Sequence, residues 1–150
     1  MKKSTLILAF LLVATVMLTN CRDPFFDGKF ETHLRVYNKT NSTIVLEFED
    51  IEYDTVYIKK IQPYKEGTQM LGVYEGSVNE TKPSDDYIND KLGHVAIYRM
   101  VGGDVLQNLP REYYDEAGKF HSYVSPEFVI YEAYYELTVT EDMFSDQAAK

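Results

Sequence analysis

The chain has 150 residues, of which 24 are Asp or Glu and 15 are Lys or Arg, so its formal net charge at pH 7 is -9. An acidic surface repels the phosphates of nucleic acids and of anionic lipid headgroups, which argues against both as electrostatic partners. Thirteen tyrosines and eight phenylalanines are more aromatic area than a disordered chain carries, so the chain is expected to fold.

The first twenty residues have the pattern of a bacterial export signal. Lys2 and Lys3 give a basic start, and residues 6–18 are apolar except for Thr15. As a helix this apolar run spans about 20 Å, which is too short for the roughly 30 Å hydrocarbon core of a bilayer. Residues 1–20 are therefore predicted to be a cleaved signal peptide, which leaves 13 basic against 24 acidic residues, a net charge of -11.

Cys21 directly follows this segment and is the one cysteine in the chain, so no internal disulfide can form. The run Leu18-Thr19-Asn20-Cys21 resembles the lipobox of bacterial lipoproteins, in which a leucine stands three residues before the cysteine. The resemblance implies a diacylglycerol thioether on Cys21, and two or more palmitate-like chains at about 0.8 kcal/mol per buried CH₂ make a stable anchor. The alternative is an unlipidated signal with an incidental cysteine. Lipidation predicts a protein anchored in the bacterial cell envelope, at the outer membrane.

One folded domain is predicted beyond the anchor, because a chain of this length suits a single core. Residues 21–29 contain Pro24 and Gly28 and show no periodicity, so they are predicted to be a lipidated tether. The folded domain, which the strand pattern described below predicts to be a β-sandwich, is expected over residues 30–144. Residues 145–150 are predicted to be a polar tail.

Alternation of apolar and polar residues predicts the strands of this domain. Phe30–Tyr37 has Thr32, Leu34 and Val36 on one face. Further strands are predicted over about 44–48, 55–61, 69–74, 94–101, 120–124 and 128–140. The last of these places on one face Tyr131, Ala133, Tyr135, Leu137 and Val139. Ser84 is predicted to cap one helical turn, and no helix of ten residues is expected. The pattern predicts an all-β fold, an antiparallel Greek-key (immunoglobulin-like) sandwich of about seven strands.

Several segments together resemble a known group of proteins. They are the lipobox, the short tether, a strand that ends in Val36-Tyr37-Asn38, the polar turn after it, and the late segments Val95-Ala-Ile-Tyr-Arg99 and Tyr135-Glu-Leu-Thr-Val-Thr-Glu-Asp-Met-Phe144. In this arrangement the chain resembles the small uncharacterised β-sandwich lipoproteins of Bacteroidetes. The resemblance implies an envelope location and a sandwich fold, and it implies no activity.

The residues that usually carry catalysis or metal binding form no motif in the sequence. His33, His94 and His121 lack metal-ligand spacing and are expected to be solvated, and the acidic stretch 85–90 lacks the order of a calcium loop. No serine lies in the frame of a nucleophile elbow. The sequence therefore predicts a protein that is not an enzyme and that has no metal and no cofactor.

Tyrosines in segments predicted to be loops are the candidate binding residues. Packing within the domain is the preferred interpretation of Tyr87, Tyr113 and Tyr114, and the alternative is that they are exposed together and stack on a sugar ring or enter a partner. Asp54-Thr55-Val56 matches a loose pattern for O-glycosylation at Thr55. The preferred functional hypothesis is a membrane-anchored, non-enzymatic interaction or structural module with an envelope protein as partner. The alternative is a surface lipoprotein that binds glycans through the loop tyrosines.

Overall fold

The computed structural model describes residues 29–76, 80–102, 105–126 and 131–144. The predicted signal peptide, the predicted anchor at Cys21 and the predicted tail over residues 145–150 lie outside these ranges. Lys29, predicted as the last residue of the tether, instead begins the first strand. Within the described ranges, no helix is long and apolar enough to cross a membrane.

Eight strands and one α-helix make up the described residues, with two 3₁₀ helices between the sixth and seventh strands. In chain order the elements are β1 Lys29–Asn38, β2 Ile44–Asp50, β3 Thr55–Ile61, β4 Glu66–Glu75, α1 Asp85–Gly93, β5 Val95–Val101, β6 Val105–Asn108, the 3₁₀ helices Arg111–Tyr113 and Ala117–Lys119, β7 His121–Pro126 and β8 Tyr131–Val139. Strand β6 lies in a segment, residues 105–119, whose sequence pattern is ambiguous.

The strands form two four-stranded sheets, ordered β4-β1-β8-β7 and β3-β2-β5-β6. The predicted all-β, two-sheet architecture is confirmed. The prediction that every strand pair is antiparallel is wrong, because β1 and β8 pair in parallel, with Phe30 opposite Tyr131 and Asn38 opposite Val139. These are the first and last described strands, so no hairpin between them forces opposite directions.

Helix α1 is longer than the single turn that the sequence predicted. The predicted N-cap is confirmed, because the Ser84 hydroxyl oxygen accepts a hydrogen bond from the backbone N–H of Tyr87 at 3.3 Å. The helix continues because Ile88 and Leu92, four residues apart on one face, are fully buried in the core. Packing against the sandwich therefore stabilises a helix whose sequence is otherwise polar.

The core lies between the inner faces of the two sheets, as the alternation predicted. Thr32, Leu34 and Val36 of β1 are buried, and so are alternate residues of β8 from Ala133 to Val139. The second sheet contributes Ile44, Leu46, Phe48, Val95 and Ile97. The predicted inner faces of the first and last strands are therefore confirmed.

Asn38, at the end of β1, ties the two sheets together at one end of the sandwich. Its side chain is fully buried, and its amide Nδ2 donates to the backbone oxygens of Ser42 at 2.8 Å, Ile61 at 3.0 Å and Gln62 at 3.1 Å. Its Oδ1 accepts from the backbone N–H and the hydroxyl of Thr40. A single side chain thus provides hydrogen-bond partners for backbone groups of the turn after β1 and of the end of β3.

Candidate functional site: a cleft between two edge strands

Strand β3 is at the edge of one sheet and β4 is at the edge of the other. The two strands meet at one end, where Lys59 Nζ donates to the Thr68 backbone oxygen at 2.6 Å. A Cβ atom on Gly67 would lie 2.7 Å from Ile61 Cγ1, so this contact requires glycine. Beyond it a cleft of about 600 Å³ opens between the β2–β3 hairpin and β4.

Exposed aromatic and apolar side chains line the two walls of this cleft. Tyr53 in the β2–β3 turn is 69 % exposed and Tyr57 on β3 is 42 % exposed. Met70 and Val73 of β4 face them and are also exposed. Contiguous apolar surface of this kind, at a concave site with polar residues around it, is typical of a binding site.

The inner end of the cleft is formed by α1. Tyr87 lines it, and the Tyr87 ring packs against Tyr74 with centroids 5.0 Å apart. Gly72 has φ +144°, and a Cβ atom there would lie 2.8 Å from the Tyr87 hydroxyl oxygen, so glycine lets the helix approach β4 closely.

The hydroxyl of Tyr87 is a buried polar group at this inner end. Burial raises the pKa of Tyr87 above its ordinary value, and the Thr32 hydroxyl opposes the shift. Thr32 Oγ1 donates its own proton to the Gly72 backbone oxygen at 2.7 Å. Because this proton is committed to Gly72, the Tyr87 hydroxyl makes no hydrogen bond of ordinary geometry to a described residue, although Thr32 lies close enough to affect the pKa of Tyr87.

Acidic side chains outnumber basic ones in the cleft lining. Asp50, Glu52 and Glu75 contribute carboxylates, and Lys91 contributes an ammonium group whose Nζ lies 5.6 Å from the centroid of the Tyr87 ring. Carboxylates around exposed tyrosine rings favour a cationic ligand, because both the charges and the ring faces attract positive charge.

The three tyrosines that the sequence singled out do not form an exposed group. Tyr114 is 1 % exposed and belongs to the hydrophobic core, so the packing interpretation is confirmed for Tyr114 and its interpretation as a ligand-binding residue is wrong. Tyr113 is partly buried and packs against the same core. Arg111 donates to the backbone oxygens at the end of α1 and holds this segment against the domain. Of the three, Tyr87 alone lines the cleft, and it does so from a helix and not from a loop.

Sequence reasoning missed Tyr53 and Tyr57 as binding residues. The sequence feature that could have indicated them is the run Thr55-Val-Tyr-Ile58, in which apolar residues follow one another without alternation. Such a run is unusual for an edge strand, which β3 is. Thr55, the predicted O-glycosylation residue, begins β3 beside the cleft, and its hydroxyl donates to the Tyr53 backbone oxygen at 2.9 Å. Its modification stays a prediction.

A second group of polar and aromatic residues covers the outer face of the first sheet. His33, Tyr134 and Tyr123, one from each of three neighbouring strands, stack in a row with centroids 5.0 and 5.2 Å apart. Arg35 lies 4.4 Å from the centroid of Tyr134 and forms an ion pair with Glu136 at 3.1 Å. The expectation that His33 is solvated is wrong, because this stack leaves its side chain only 15 % exposed.

Beside this row, Glu31 lies directly opposite Glu132 in the parallel register of β1 and β8. With His33 they form a group whose ligand atoms all lie within 4.8 Å of one another. Among the described residues these side chains are suited to hold a metal ion, and sequence reasoning missed them.

Together these features define a two-sheet β-sandwich with an acidic, tyrosine-lined cleft between its edge strands. No protein-family model, curated protein or solved structure matches the chain. The geometry of the cleft is therefore the basis for the functional proposal.

Proposed function

We propose that the protein is a non-enzymatic lipoprotein, anchored in the bacterial outer membrane through Cys21, whose sandwich binds an extended, positively charged segment of an envelope protein. The cleft between β3 and β4 is the observation that carries this proposal. We also propose Greek-key, immunoglobulin-like connectivity. The chain forms the β2–β3 hairpin in one sheet and then returns to the other sheet, where β4 pairs with β1. This return supports Greek-key connectivity.

The edge of β3 favours an extended peptide as the ligand. No described strand pairs with β3 on the side away from β2. Natural edge strands are protected by charged residues, and Lys59 and Lys60 provide this protection in the second half of β3. Residues 55–58 carry no charge, and Tyr57 among them lines the cleft. An added strand would therefore pair with this half by its main chain and direct alternate side chains into the cleft.

The charge of the cleft favours lysine or arginine side chains in that segment. Asp50, Glu52 and Glu75 line the same cleft as exposed Tyr53 and Tyr57, and the chain as a whole has a net charge of -9. Cations gain from both carboxylates and tyrosine rings, and the long-range field of an acidic protein speeds their association.

Removal of Tyr53 should weaken binding of a basic peptide. Fluorescence anisotropy would measure the affinity of the full chain in detergent for a short labelled peptide of alternating Lys and Thr. Tyr53→Ala should weaken it by about tenfold or more, because exposed aromatics at interface centres carry much of the binding energy. Tyr64→Ala is the matched control, since Tyr64 is 62 % exposed and lies in the β3–β4 turn outside the cleft, and its affinity should match the wild type.

The same assay distinguishes the alternative ligands. A peptide with Glu in place of Lys should bind at least about tenfold more weakly than the basic one, because the cleft carboxylates repel it. Equal loss of affinity in Tyr53→Ala and Tyr64→Ala would overturn the cleft as the binding site. Binding of neutral glucose oligosaccharides, with no binding of either peptide, would replace this proposal with the glycan-binding one.

Lipidation at Cys21 is tested by metabolic labelling with palmitate in a bacterial host. Wild type and Asn20→Ala should take up label and Cys21→Ala should not, because the thioether forms on the cysteine sulfur. The membrane fraction should retain only the labelled forms, since the acyl chains supply the anchor. Equal labelling of the wild type and the Cys21→Ala variant would refute the anchor.

A further inference from the structure

Three potential metal ligands converge on the outer face of the first sheet, away from the cleft. Glu31 and His33 are two residues apart on β1, so their side chains share one face of the strand. Glu132 on β8 is the register partner of Glu31. His33 Nε2 lies 3.7 Å from Glu31 Oε2, and the ligand atoms of all three residues lie within 4.8 Å of one another.

Two features of this group would be relieved by a cation lying among the side chains. His33 Nε2 is buried and has no hydrogen-bond partner within the described residues, although buried polar atoms are normally satisfied. Glu31 and Glu132 are like charges directly opposite each other on neighbouring strands, which destabilises a sheet. A bound cation accepts the nitrogen lone pair and neutralises the carboxylates at once.

We propose that Glu31, His33 and Glu132 form a binding site for a divalent first-row transition metal ion, with Zn²⁺ as the best fit. An imidazole nitrogen with two carboxylates is a ligand set that Zn²⁺ accepts, and three protein ligands leave one tetrahedral position for water. Calcium is disfavoured because it takes six or more oxygen ligands and no imidazole. Zinc ligands lie about 2.0–2.2 Å from the metal, so small side-chain rotations would close the group around the ion.

Tyr134 supports two of the three ligands. Its hydroxyl donates to Glu132 Oε2 at 2.6 Å, and its ring stacks on His33. Contacts of this kind orient metal ligands. The nearby guanidinium of Arg35 is paired with Glu136 at 3.1 Å, which offsets its repulsion of a cation.

The test is calorimetric titration of the full chain in detergent with ZnCl₂, and with CaCl₂ for comparison. Wild type should bind one Zn²⁺ per chain in preference to Ca²⁺. His33→Gln and Glu132→Gln should each weaken Zn²⁺ binding by about tenfold or more, and Tyr134→Phe by about tenfold through its effect on the ligands. His121→Gln is the matched control, because this exposed histidine lies on β7 of the same sheet, and it should bind as the wild type does.

Further measurements distinguish this site from zinc binding elsewhere in the chain. Without metal, Glu132→Gln should unfold at a temperature at least as high as the wild type, because glutamine keeps the shape of glutamate and removes the repulsion from Glu31. This variant therefore tests the site even if His33→Gln does not fold. X-ray absorption at the zinc edge should show nitrogen and oxygen ligands only. A sulfur ligand would indicate binding by Cys21 and overturn the proposal, as would Zn²⁺ affinity unchanged in both His33→Gln and Glu132→Gln.

Discussion

Replacement of Asn38 by aspartate is expected to destabilise the fold by about 3 kcal/mol or more. The amide Nδ2 donates to three backbone oxygens, of Ser42, Ile61 and Gln62, at 2.8 to 3.1 Å. A carboxylate has no proton to donate and would set a negative charge against these oxygens. Each buried group left without its partner costs about 1–3 kcal/mol, and a buried charge costs more. Urea unfolding followed by circular dichroism would measure the free energy of unfolding.

Asn41→Asp is the control for this substitution. Asn41 is exposed in the same turn, and its Oδ1 accepts a hydrogen bond from the Tyr64 hydroxyl, which a carboxylate also accepts. The free energy of unfolding of Asn41→Asp should stay within about 0.5 kcal/mol of the wild type.

The pH dependence of stability gives a further check on N38D. Its buried carboxyl should have a raised pKa in the folded state. Its penalty is then largest at neutral pH and shrinks as the pH falls toward about 4. Equal stability of N38D and N41D would refute the role of Asn38.

Tyr114→Ala is expected to cost about 3–5 kcal/mol in the free energy of unfolding, which is the range for truncation of a large buried aromatic side chain. Tyr114 is among the largest fully buried side chains of the domain. Burial also raises its pKa, which fits a hydroxyl that lies away from solvent. The loss arises from the removed apolar contacts and from the cavity that remains, and chemical denaturation would measure it.

Binding measurements complete this prediction about Tyr114. Tyr53→Ala is the control, because Tyr53 is exposed, and its stability should change by no more than about 0.5 kcal/mol. Tyr114→Phe should keep wild-type affinity for the basic peptide, since Tyr114 does not line the cleft. If Tyr114→Ala kept its stability and lost peptide binding, Tyr114 would be a ligand-contacting residue, which is the alternative that the sequence left open.

Strands were predictable where alternation is regular. In β1 alternate residues from Phe30 to Val36 are apolar or small and face inward, and this local pattern predicted Thr32, Leu34 and Val36 as core residues. The cap at Ser84 was predictable for the same reason, because its hydrogen bond spans only three residues. The length of α1 was not, since Ile88 and Leu92 are helical because they pack against strands distant in sequence.

The binding residues were harder to predict because they depend on which strands become neighbours. Tyr87 was singled out as a candidate binding residue in a predicted loop; it lines the cleft from a helix, and its role in binding stays a prediction. Tyr113 and Tyr114 carry the same residue type in a similar polar segment, and only packing distinguishes the buried ring from the others. The residue type predicts that a tyrosine ring packs against other groups. It does not distinguish packing in the core from contact with a ligand.

By itself the sequence determined where most strands lie, which of their faces are apolar, and that the surface is acidic, because these properties follow from residues close together in the chain. The lipid anchor at Cys21 stays a prediction from the sequence. Only the tertiary structure decided that β1 pairs in parallel with β8, that β3 and β4 enclose a cleft, and that Glu132 meets His33. Alternation fixes the face that a side chain occupies, whereas the partner across a sheet is set by the packing of the whole core.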